Sequence, residues 1–490
     1  MLRNIFSRLL NKTEPEASEG PSAHDFDSWN RIGRAKALNV CAALEAIIDL
    51  DESPDEDLVE DERDEEFADA VLDEVVALNA AGHWQRARER FDPAHTPFTS
   101  HMGDVGLHAV VILGPDAFLV RLDDQVLHID GGEITEVDGA TMVAISRNRR
   151  WIVLATGQGL AISEGFDPAT QEITPWPEDI EVDATTVRCL EISDDGKSVV
   201  LASDEFGIWL LRGSDWTLLA PRPGHVDEDD EDEDEDEDDE AGEDDADTTA
   251  DEAEDGVRNV GSDDCPVYIG SYKDIKAKFG GPLGIDASHV AISPDGHYVA
   301  YGWQDAYGGH YVERITETTI EPHGRIEAES DYPYNLRFTD DSKSLLSNSR
   351  YGSSGVTVCR DLASLKGDHD EGEEEPQTTD DYLRAYGMTQ LPGEVYGLGE
   401  PVAWIGGAGW SHAAPLSGGK PVFTQFLGSA LRGFDFDPVS GRVAVASASG
   451  VLHVLDPFSE AQPGRERGYH PRREVFRWIF WETLENPIRW

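Results

Sequence analysis

The sequence predicts an all-β protein built from repeats, on three observations. A short phrase, ISPDGHYVAYG at residues 292–302, recurs in varied form along the chain. Two pairs of successive copies lie 46 or 47 residues apart, and further short apolar runs follow the copies. The chain has 490 residues, of which 39% are hydrophobic, and this is enough to build a large core.

Each copy of the phrase predicts a β-hairpin. An apolar strand end leads into a polar turn rich in Asp, Ser, Asn or Gly, and then into an apolar run that ends in small residues. In ISPDG, Pro294 suits the second position of the turn and Gly296 tolerates positive φ. Gly196 occupies the equivalent place in its hairpin, so we expect positive φ there too. The four other copies are AISRNRRWIVLAT (144–156), EISDDGKSVVLAS (191–203), RFTDDSKSLLSNS (337–349) and FDFDPVSGRVAVASAS (434–449).

The spacing of these hairpins predicts a β-propeller. Ile145 and Ile192 are 47 residues apart, and Ile292 and Phe338 are 46 residues apart. The interval from Phe338 to Phe436 is 98 residues, about two periods. A period near 45 residues with several short strands per unit is typical of propeller blades.

The number of blades is predicted from the segments that lie after and between the hairpins. Third strands are expected at 207–213, 310–315, 355–361 and 451–457, and two degenerate units at 107–122 and 393–410. The total is then seven blades, with six and eight as alternatives. The S-P-D-G turn before an apolar second strand resembles the WD40 and YVTN-like propeller repeats, over residues 102–457. This resemblance implies the architecture and no particular subfamily.

Outside the propeller, at 101–460, the sequence predicts three further regions. An amphipathic or flexible N-terminus is expected at 1–25, a helical acidic region at 26–100 and a basic, aromatic tail at 461–490. Helical periodicity in the acidic region covers 29–48 and 67–91. The acids of DLDESPDEDLVE (49–60) partly match a calcium loop, but Pro54 and Glu56 break its pattern. We expect a helix–helix linker there, with calcium binding as the alternative, and no cofactor elsewhere.

The formal net charge of −60 is unevenly distributed along the chain. Residues 227–255 contain 22 carboxylates and no base, which predicts a disordered insertion at 226–257. An acidic surface of this kind excludes nucleic acid as a partner, because phosphate contacts need cations. It favours a basic protein partner, while a salt-adapted source is the other explanation for the charge.

Several features of the sequence favour a cytoplasmic protein. Its four cysteines are far apart and show no CxxC spacing, which argues against a disulfide framework and a zinc site. No apolar run is long enough to span a bilayer, and the N-terminus lacks a signal-peptide pattern. Residues 1–12 have one apolar helical face opposite basic residues, so contact with a membrane or a partner is an alternative to ordinary packing.

The C-terminal tail is the candidate partner-binding segment. Its apolar residues have the spacing of one helical face, so we expect a packed helix. Arginine and tryptophan are favoured anchors of protein interfaces, and internal docking on the acidic chain is the competing interpretation. The residues assigned to partner binding are Arg472, Arg473, Trp478, Trp481 and Trp490.

No catalytic or metal site is predicted. Ser411 and His412 in GWSHA nearly match a nucleophile elbow, but their flanks read as strand and loop instead of strand and helix. The function expected is a non-enzymatic scaffold for protein–protein interaction. One alternative is an acidic neutralising protein that occludes a basic toxin or nuclease surface, and a second is an enzyme with its site at the channel mouth.

Overall fold

The part of the protein that the structure describes is mostly β, as predicted, and its strands form antiparallel meanders. The computed structural model describes residues 26, 28–36, 63–94, 96–103, 105–167, 170–177, 182–220, 288–303, 309–330, 332–351, 354–365, 377–460 and 472–490. Within these residues there are five four-stranded sheets and one eight-stranded sheet, and strand order in every sheet matches chain order. Such meanders need only short connections between neighbouring strands.

The first three sheets contain strands β1 to β12. Their bounds are β1 Leu107–Gly114, β2 Ala117–Leu122, β3 Gln125–Asp130, β4 Glu133–Glu136, β5 Ala140–Ile145, β6 Trp151–Thr156, β7 Gly159–Glu164, β8 Glu172–Pro175, β9 Val187–Ile192, β10 Ser198–Ser203, β11 Gly207–Arg212 and β12 Asp215–Ala220.

The fourth and fifth sheets and the eight-stranded sheet contain strands β13 to β28. Their bounds are β13 His289–Ile292, β14 Tyr298–Gly302, β15 His310–Ile315, β16 Ile320–Ile326, β17 Tyr332–Phe338, β18 Ser344–Tyr351, β19 Ser354–Asp361, β20 Gln377–Asp380, β21 Gly387–Leu391, β22 Val402–Gly406, β23 Ala408–Pro415, β24 Phe423–Asp437, β25 Arg442–Ser447, β26 Val451–Glu460, β27 Arg472–Ile479 and β28 Ile488–Arg489.

Strand β24 belongs to two groups of four strands. Its first half, up to Ala430, pairs with β23, and its second half, from Leu431 to Asp437, pairs with β25. The eight-stranded sheet is therefore two four-stranded meanders that share one long strand, with the short β28 added at the end.

The helices precede the strands, in the region where helical periodicity predicts them. They are α1 at residues 28–36, α2 at Glu65–Ala80 and α3 at Trp84–Arg90. The side chain of Asp64 accepts a hydrogen bond from the backbone N–H of Phe67 and so caps α2. Among the described residues there is no helix both long and apolar enough to cross a membrane.

The hydrophobic core lies between sheets. Val111 of β1 and Ile152 of β6 belong to one cluster, which joins the first two sheets. Other clusters join the second, third and fourth sheets, the fourth and fifth, and the fifth and the eight-stranded sheet. Phe118 of β2 meets Phe476 of β27 with ring centroids 6.1 Å apart, so the first and last sheets also pack together. Each sheet thus covers apolar faces of its neighbours.

The five predicted hairpins and the four predicted third strands are confirmed. The copy ISPDGHYVAYG forms β13 and β14, for example, and residues 310–315 form β15. Gly196 and Gly296 both have positive φ, at 73° and 72°. The two turns differ in their surroundings, because a Cβ at Gly196 would lie 2.3 Å from the Trp151 ring, whereas one at Gly296 would meet Ser193 at 3.4 Å.

We expect Gly196→Ala to destabilise the protein more than Gly296→Ala. Both substitutions force a side chain into the left-handed region, at a cost on the order of 1–3 kcal/mol. Only the first also drives a methyl group into a tryptophan ring, which must then move. Urea denaturation of the two variants gives the comparison. Equal losses, or a larger loss at Gly296, would show that contact with Trp151 is not the deciding factor.

The predicted C-terminal helix is wrong. The segment forms strand β27, which pairs antiparallel with β26 and completes the last sheet. Phe476 and Trp478 join the cluster between the first and last sheets, while Ile479 and Trp481 join the cluster formed with the helices. A strand buried on both faces has a continuous apolar run, and such a run is easily read as a wide helical face. The expected internal packing is confirmed for the described part of the tail, residues 472–490.

Three predicted segments lie outside the described residues. They are the amphipathic helix at 1–12, the calcium-like segment at 49–60 and the acidic insertion at 226–257. Strand β12 ends at Ala220 and the next described residue is Ser288, just before β13. The sheets on either side, β9 to β12 and β13 to β16, each have their four strands without any residue of the insertion.

Deletion of residues 227–255 should therefore leave the melting temperature unchanged, or raise it by removing self-repulsion among 22 carboxylates. Calorimetry at low and high salt gives the measurement, because the repulsive contribution should shrink as salt screens it. Loss of soluble, folded protein on this deletion would contradict the interpretation of the segment as an insertion.

Candidate functional site

A cavity of about 980 Å³ lies where the first strands of the sheets meet. Its walls come from β1, β5, β9, β13 and β17, from the start of β21 and from the second half of β24. These strands run side by side in one direction. Arg432 of β24 contacts His108 near the start of β1, and Asp435 accepts a hydrogen bond from the N–H of Ile112 further along both strands.

The side chains that line the cavity form two layers. Three pairs show the spacing: Arg188 and Glu191 on β9, Tyr334 and Arg337 on β17, and Arg432 and Asp435 on β24. A register irregularity at the first residue of each pair interrupts the alternation of side chains, so both members line the cavity. Residues three apart on a strand are separated by about 10 Å, so the two layers lie at different depths. The mouth layer is His108, Arg188, His289, Tyr334, Tyr386 and Arg432, and the inner layer is Arg147, Glu191, Arg337 and Asp435.

The inner layer consists of matched ion pairs. Arg147 Nη2 lies 2.9 Å from Glu191 Oε1, and Arg149, from the hairpin between β5 and β6, forms an ion pair with Asp435. Arg337 Nη2 lies 3.4 Å from Asp340 Oδ1, while burial and the neighbouring Arg147 lower the pKa of Arg337 to about 10. These contacts fix the far end of the first strands to one another.

The mouth layer is cationic by comparison. Arg188 is exposed and forms an ion pair with Asp204, and Arg432 is exposed and has its Nη1 atom 2.8 Å from His108 Nδ1. Burial lowers the pKa of His108 to about 4, with further lowering by Arg432, Arg121 and Arg188. The imidazole is therefore neutral at pH 7, and Arg432 contacts it without gaining a compensating charge.

Arg121 of β2 supports the mouth from within the wall. Its guanidinium donates hydrogen bonds to the carbonyl oxygens of Val187 at 2.6 Å and Thr185 at 3.1 Å, at the beginning of β9. A third donation, to the carbonyl of Asp123, holds the guanidinium to its own turn. Because these partners are neutral carbonyls, the positive charge of Arg121 is retained at the cavity wall.

Two tyrosines of the mouth layer stack with arginines. The guanidinium carbon of Arg384 lies 4.2 Å from the centroid of the Tyr334 ring and 4.8 Å from that of Tyr386. The guanidinium carbon of Arg350 also lies near the Tyr334 ring, 5.1 Å from its centroid. Such cation–π contacts fix the ring planes and add positive charge close to the mouth.

The structure does not bring the sequence-predicted partner residues to this cavity. Trp478, Trp481 and Trp490 are buried, at 5%, 3% and 0% exposure, in clusters with the first sheet and the helices. Arg473 is exposed, and Arg472 begins β27. A partner-binding role for these five residues stays a prediction.

Sequence reasoning missed the mouth layer. The sequence did contain a sign of this layer, since the residues just upstream of the recurring phrase lie at the start of the strand that lines the cavity. Arg188 and Arg432 stand there in two copies, ahead of EISDDG and FDFDP. These residues come together only through contacts between strands more than 200 residues apart, and a local sequence pattern cannot predict such contacts.

Ser411 and His412 lie in β23 and are both buried. Ser411 Oγ donates to the carbonyl of Gln425 at 3.3 Å, and His412 Nδ1 lies 2.6 Å from Asp380 Oδ2. Neighbouring residues on a strand point to opposite faces, so these two side chains do not act on one substrate atom. In the part of the chain that the structure describes, no group of three or more His, Cys, Asp or Glu is placed to hold a metal ion.

No protein-family model matches the sequence, and no curated protein matches it. The function is therefore inferred from the cavity and its side chains.

Proposed function

We propose that the protein is a seven-bladed β-propeller of the WD40-like or YVTN-like kind, and that it is a non-enzymatic scaffold that binds a partner protein at the cavity mouth. Counting the two halves of the eight-stranded sheet separately gives seven four-stranded units. Each unit packs on the next, and Phe118 and Phe476 join the first to the last. The observation that carries the proposal is the cavity, since the first strand of every unit contributes to its wall.

The mouth suits recognition better than chemistry. Rigid sheets hold side chains from separate repeats on one surface, which is the arrangement that many binding proteins use. The exposed charged groups there are Arg188, Arg432 and Glu205, and the histidine of β1 is held neutral against Arg432. Arginine and tyrosine are the residue types that contribute most at protein interfaces.

Site-specific photo-crosslinking tests this proposal. A photoreactive residue at Glu205, which is exposed and lines the cavity, should capture a discrete partner in cells of the source organism. The matched control is Val439, which is 90% exposed in the turn between β24 and β25, beyond the inner layer. Equal capture at both positions, or capture at Val439 alone, would contradict binding at the mouth.

The crosslinked complex also tests the acidic-neutraliser alternative. A partner held through the general negative charge of the chain should be lost steeply as ionic strength rises, and should crosslink at many surface positions. A partner seated on the mouth should crosslink at Glu205 over the same salt range.

A further inference from the structure

We infer that the mouth layer binds an acidic segment of the partner, and that Arg188 and Arg432 receive its carboxylates. This inference rests on the proposed function, because it names the chemistry of the segment that the scaffold would hold. It differs from what the net charge alone suggests, since a chain at −60 would be matched to a basic partner.

The local charge at the mouth opposes that of the chain. At the mouth end the cavity is lined by three arginines, Arg121, Arg188 and Arg432, and by two carboxylates, Asp204 and Glu205; the other arginines and carboxylates of the lining belong to the inner layer. Asp204 is already engaged, because its carboxylate accepts hydrogen bonds from the N–H and hydroxyl of Ser288 at 3.1 and 2.9 Å and from Arg188.

Arg432 is the arginine best placed to receive an anion. Only one of its guanidinium nitrogens, Nη1, is described in contact with His108, which is neutral at pH 7. Arg432 itself is exposed at the mouth. A guanidinium has five N–H donors in a planar fork, so the remaining donors can bind a carboxylate in the bidentate manner. Arg188, with 60% of its side chain exposed, faces the same opening.

The inner layer limits how far an anion can enter. Glu191 and Asp435 lie about 10 Å deeper along their strands and are held in ion pairs with Arg147 and Arg149. An anionic group that passed the arginines would meet these carboxylates. The acidic segment therefore binds at the mouth. Its side chains reach the arginines there, while the rest of the partner remains outside the cavity.

A peptide fits this position better than a nucleic acid. Nucleic acids bind through many phosphates along an extended basic surface, and here the mouth offers only a few arginines at one opening in a strongly acidic chain. Tyr334 and Tyr386 flank the arginines with rings fixed by Arg384, which suits packing against peptide side chains. At physiological salt, charges are screened over about 8 Å, so a short segment at the mouth interacts more strongly with the nearby arginines than with the distant carboxylates.

The test measures binding of a fluorescently labelled oligoglutamate peptide by anisotropy, with oligoglutamine, inorganic phosphate and single-stranded DNA as competitors. Arg188→Gln combined with Arg432→Gln should weaken peptide binding at least about tenfold, or about 1.4 kcal/mol. The control is Arg150→Gln, an exposed arginine paired with Glu164 away from the cavity. Glu205→Gln, which removes a carboxylate from the mouth, should tighten binding.

Four results would overturn the inference. They are equal peptide affinity in the wild type and the double variant, displacement of the peptide by phosphate at equal concentration, tighter binding of DNA than of peptide, and no binding. Absence of binding must be measured both with the full chain and with a chain that lacks residues 227–255, because the carboxylates of that segment compete with the peptide. If crosslinking at Glu205 captures a partner that the double variant still binds, the scaffold proposal stands and the acidic-segment inference fails.

Discussion

Replacing Glu474 with glutamine should lower the free energy of unfolding by about 3–5 kcal/mol. Glu474 of β27 is 4% exposed, and its carboxylate contacts three partners: His453 Nδ1 at 2.7 Å, Arg477 Nε at 3.0 Å and Arg88 Nη1 at 3.3 Å. Burial alone would raise the pKa of this carboxyl. The charge of Arg477, the hydrogen bond from His453 and the charge of Arg88 outweigh burial and hold the pKa well below its usual range.

The physical reason for the loss is the charge left behind. Glutamine has nearly the same shape and keeps one acceptor, but it leaves the buried guanidinium of Arg477 against a neutral amide and removes the carboxylate that Arg88 contacts. Arg88 lies on α3 and also donates to the carbonyl of Trp490, so the same contacts connect the helices to the last sheet. Loss of the charge should therefore loosen that connection as well as destabilise the sheet.

Urea denaturation gives the measurement, and Glu164→Gln gives the matched control. Glu164 is paired with Arg150 at 2.9 Å, but 59% of its side chain is exposed, so the same chemical change there should leave the midpoint unmoved. Similar losses in both variants would contradict the role of burial. A normal midpoint for Glu474→Gln would show that the three partners are satisfied without the charge.

The hairpins could be predicted from the sequence because their causes are local. The turn residues and the apolar run after them lie within about a dozen positions, and Gly196 and Gly296 report the backbone conformation directly. The tail could not be assigned in this way. Arg477 is buried in a strand only because Glu474, three residues earlier, and the carbonyl of Ala94 accept its hydrogen bonds. A pattern of apolar residues carries no information about such partners.

The candidate site was beyond prediction for a related reason. His108 and Arg432 meet across 324 residues, and Arg149 reaches Asp435 across 286. Neither pair can be deduced from spacing, since contact requires that the first and last sheets lie side by side. The net charge also gave no indication of the arginines at the mouth, because it is summed over the whole chain and a few residues change it little.

Stability should fall as the pH drops below about 6.5, because at least three histidines are held neutral in the folded protein. Burial lowers the pKa of His108, His310 and His453, and for His108 the value is about 4. The second lowering influence on His310 is His289, whose Nε2 lies 2.6 Å from the Nε2 of His310, while His310 Nδ1 lies 2.7 Å from Ser347 Oγ. A proton on His310 would disrupt this arrangement.

The direction of the effect is set by the protons bound in each state. Below about pH 6.5 the histidines of the unfolded chain take up protons that the folded state does not bind, so acid favours unfolding. Each such group contributes up to about 1.4 kcal/mol per pH unit until its folded pKa is reached. Between pH 6.5 and 5.5 the unfolded histidines go from about half to about nine-tenths protonated, so three groups should together cost up to about 3 kcal/mol.

Urea midpoints at pH 7.5, 6.5 and 5.5 measure this dependence, and His310→Gln should make it shallower by removing one contributing group. His297→Gln is the control, since His297 is exposed in the turn between β13 and β14 and should leave the slope unchanged. A flat profile from pH 7.5 to 5.5 would mean that the folded protein takes up these protons after all. A slope that is unaffected by His310→Gln would assign the acid sensitivity to other groups, because His310 would then contribute nothing to it.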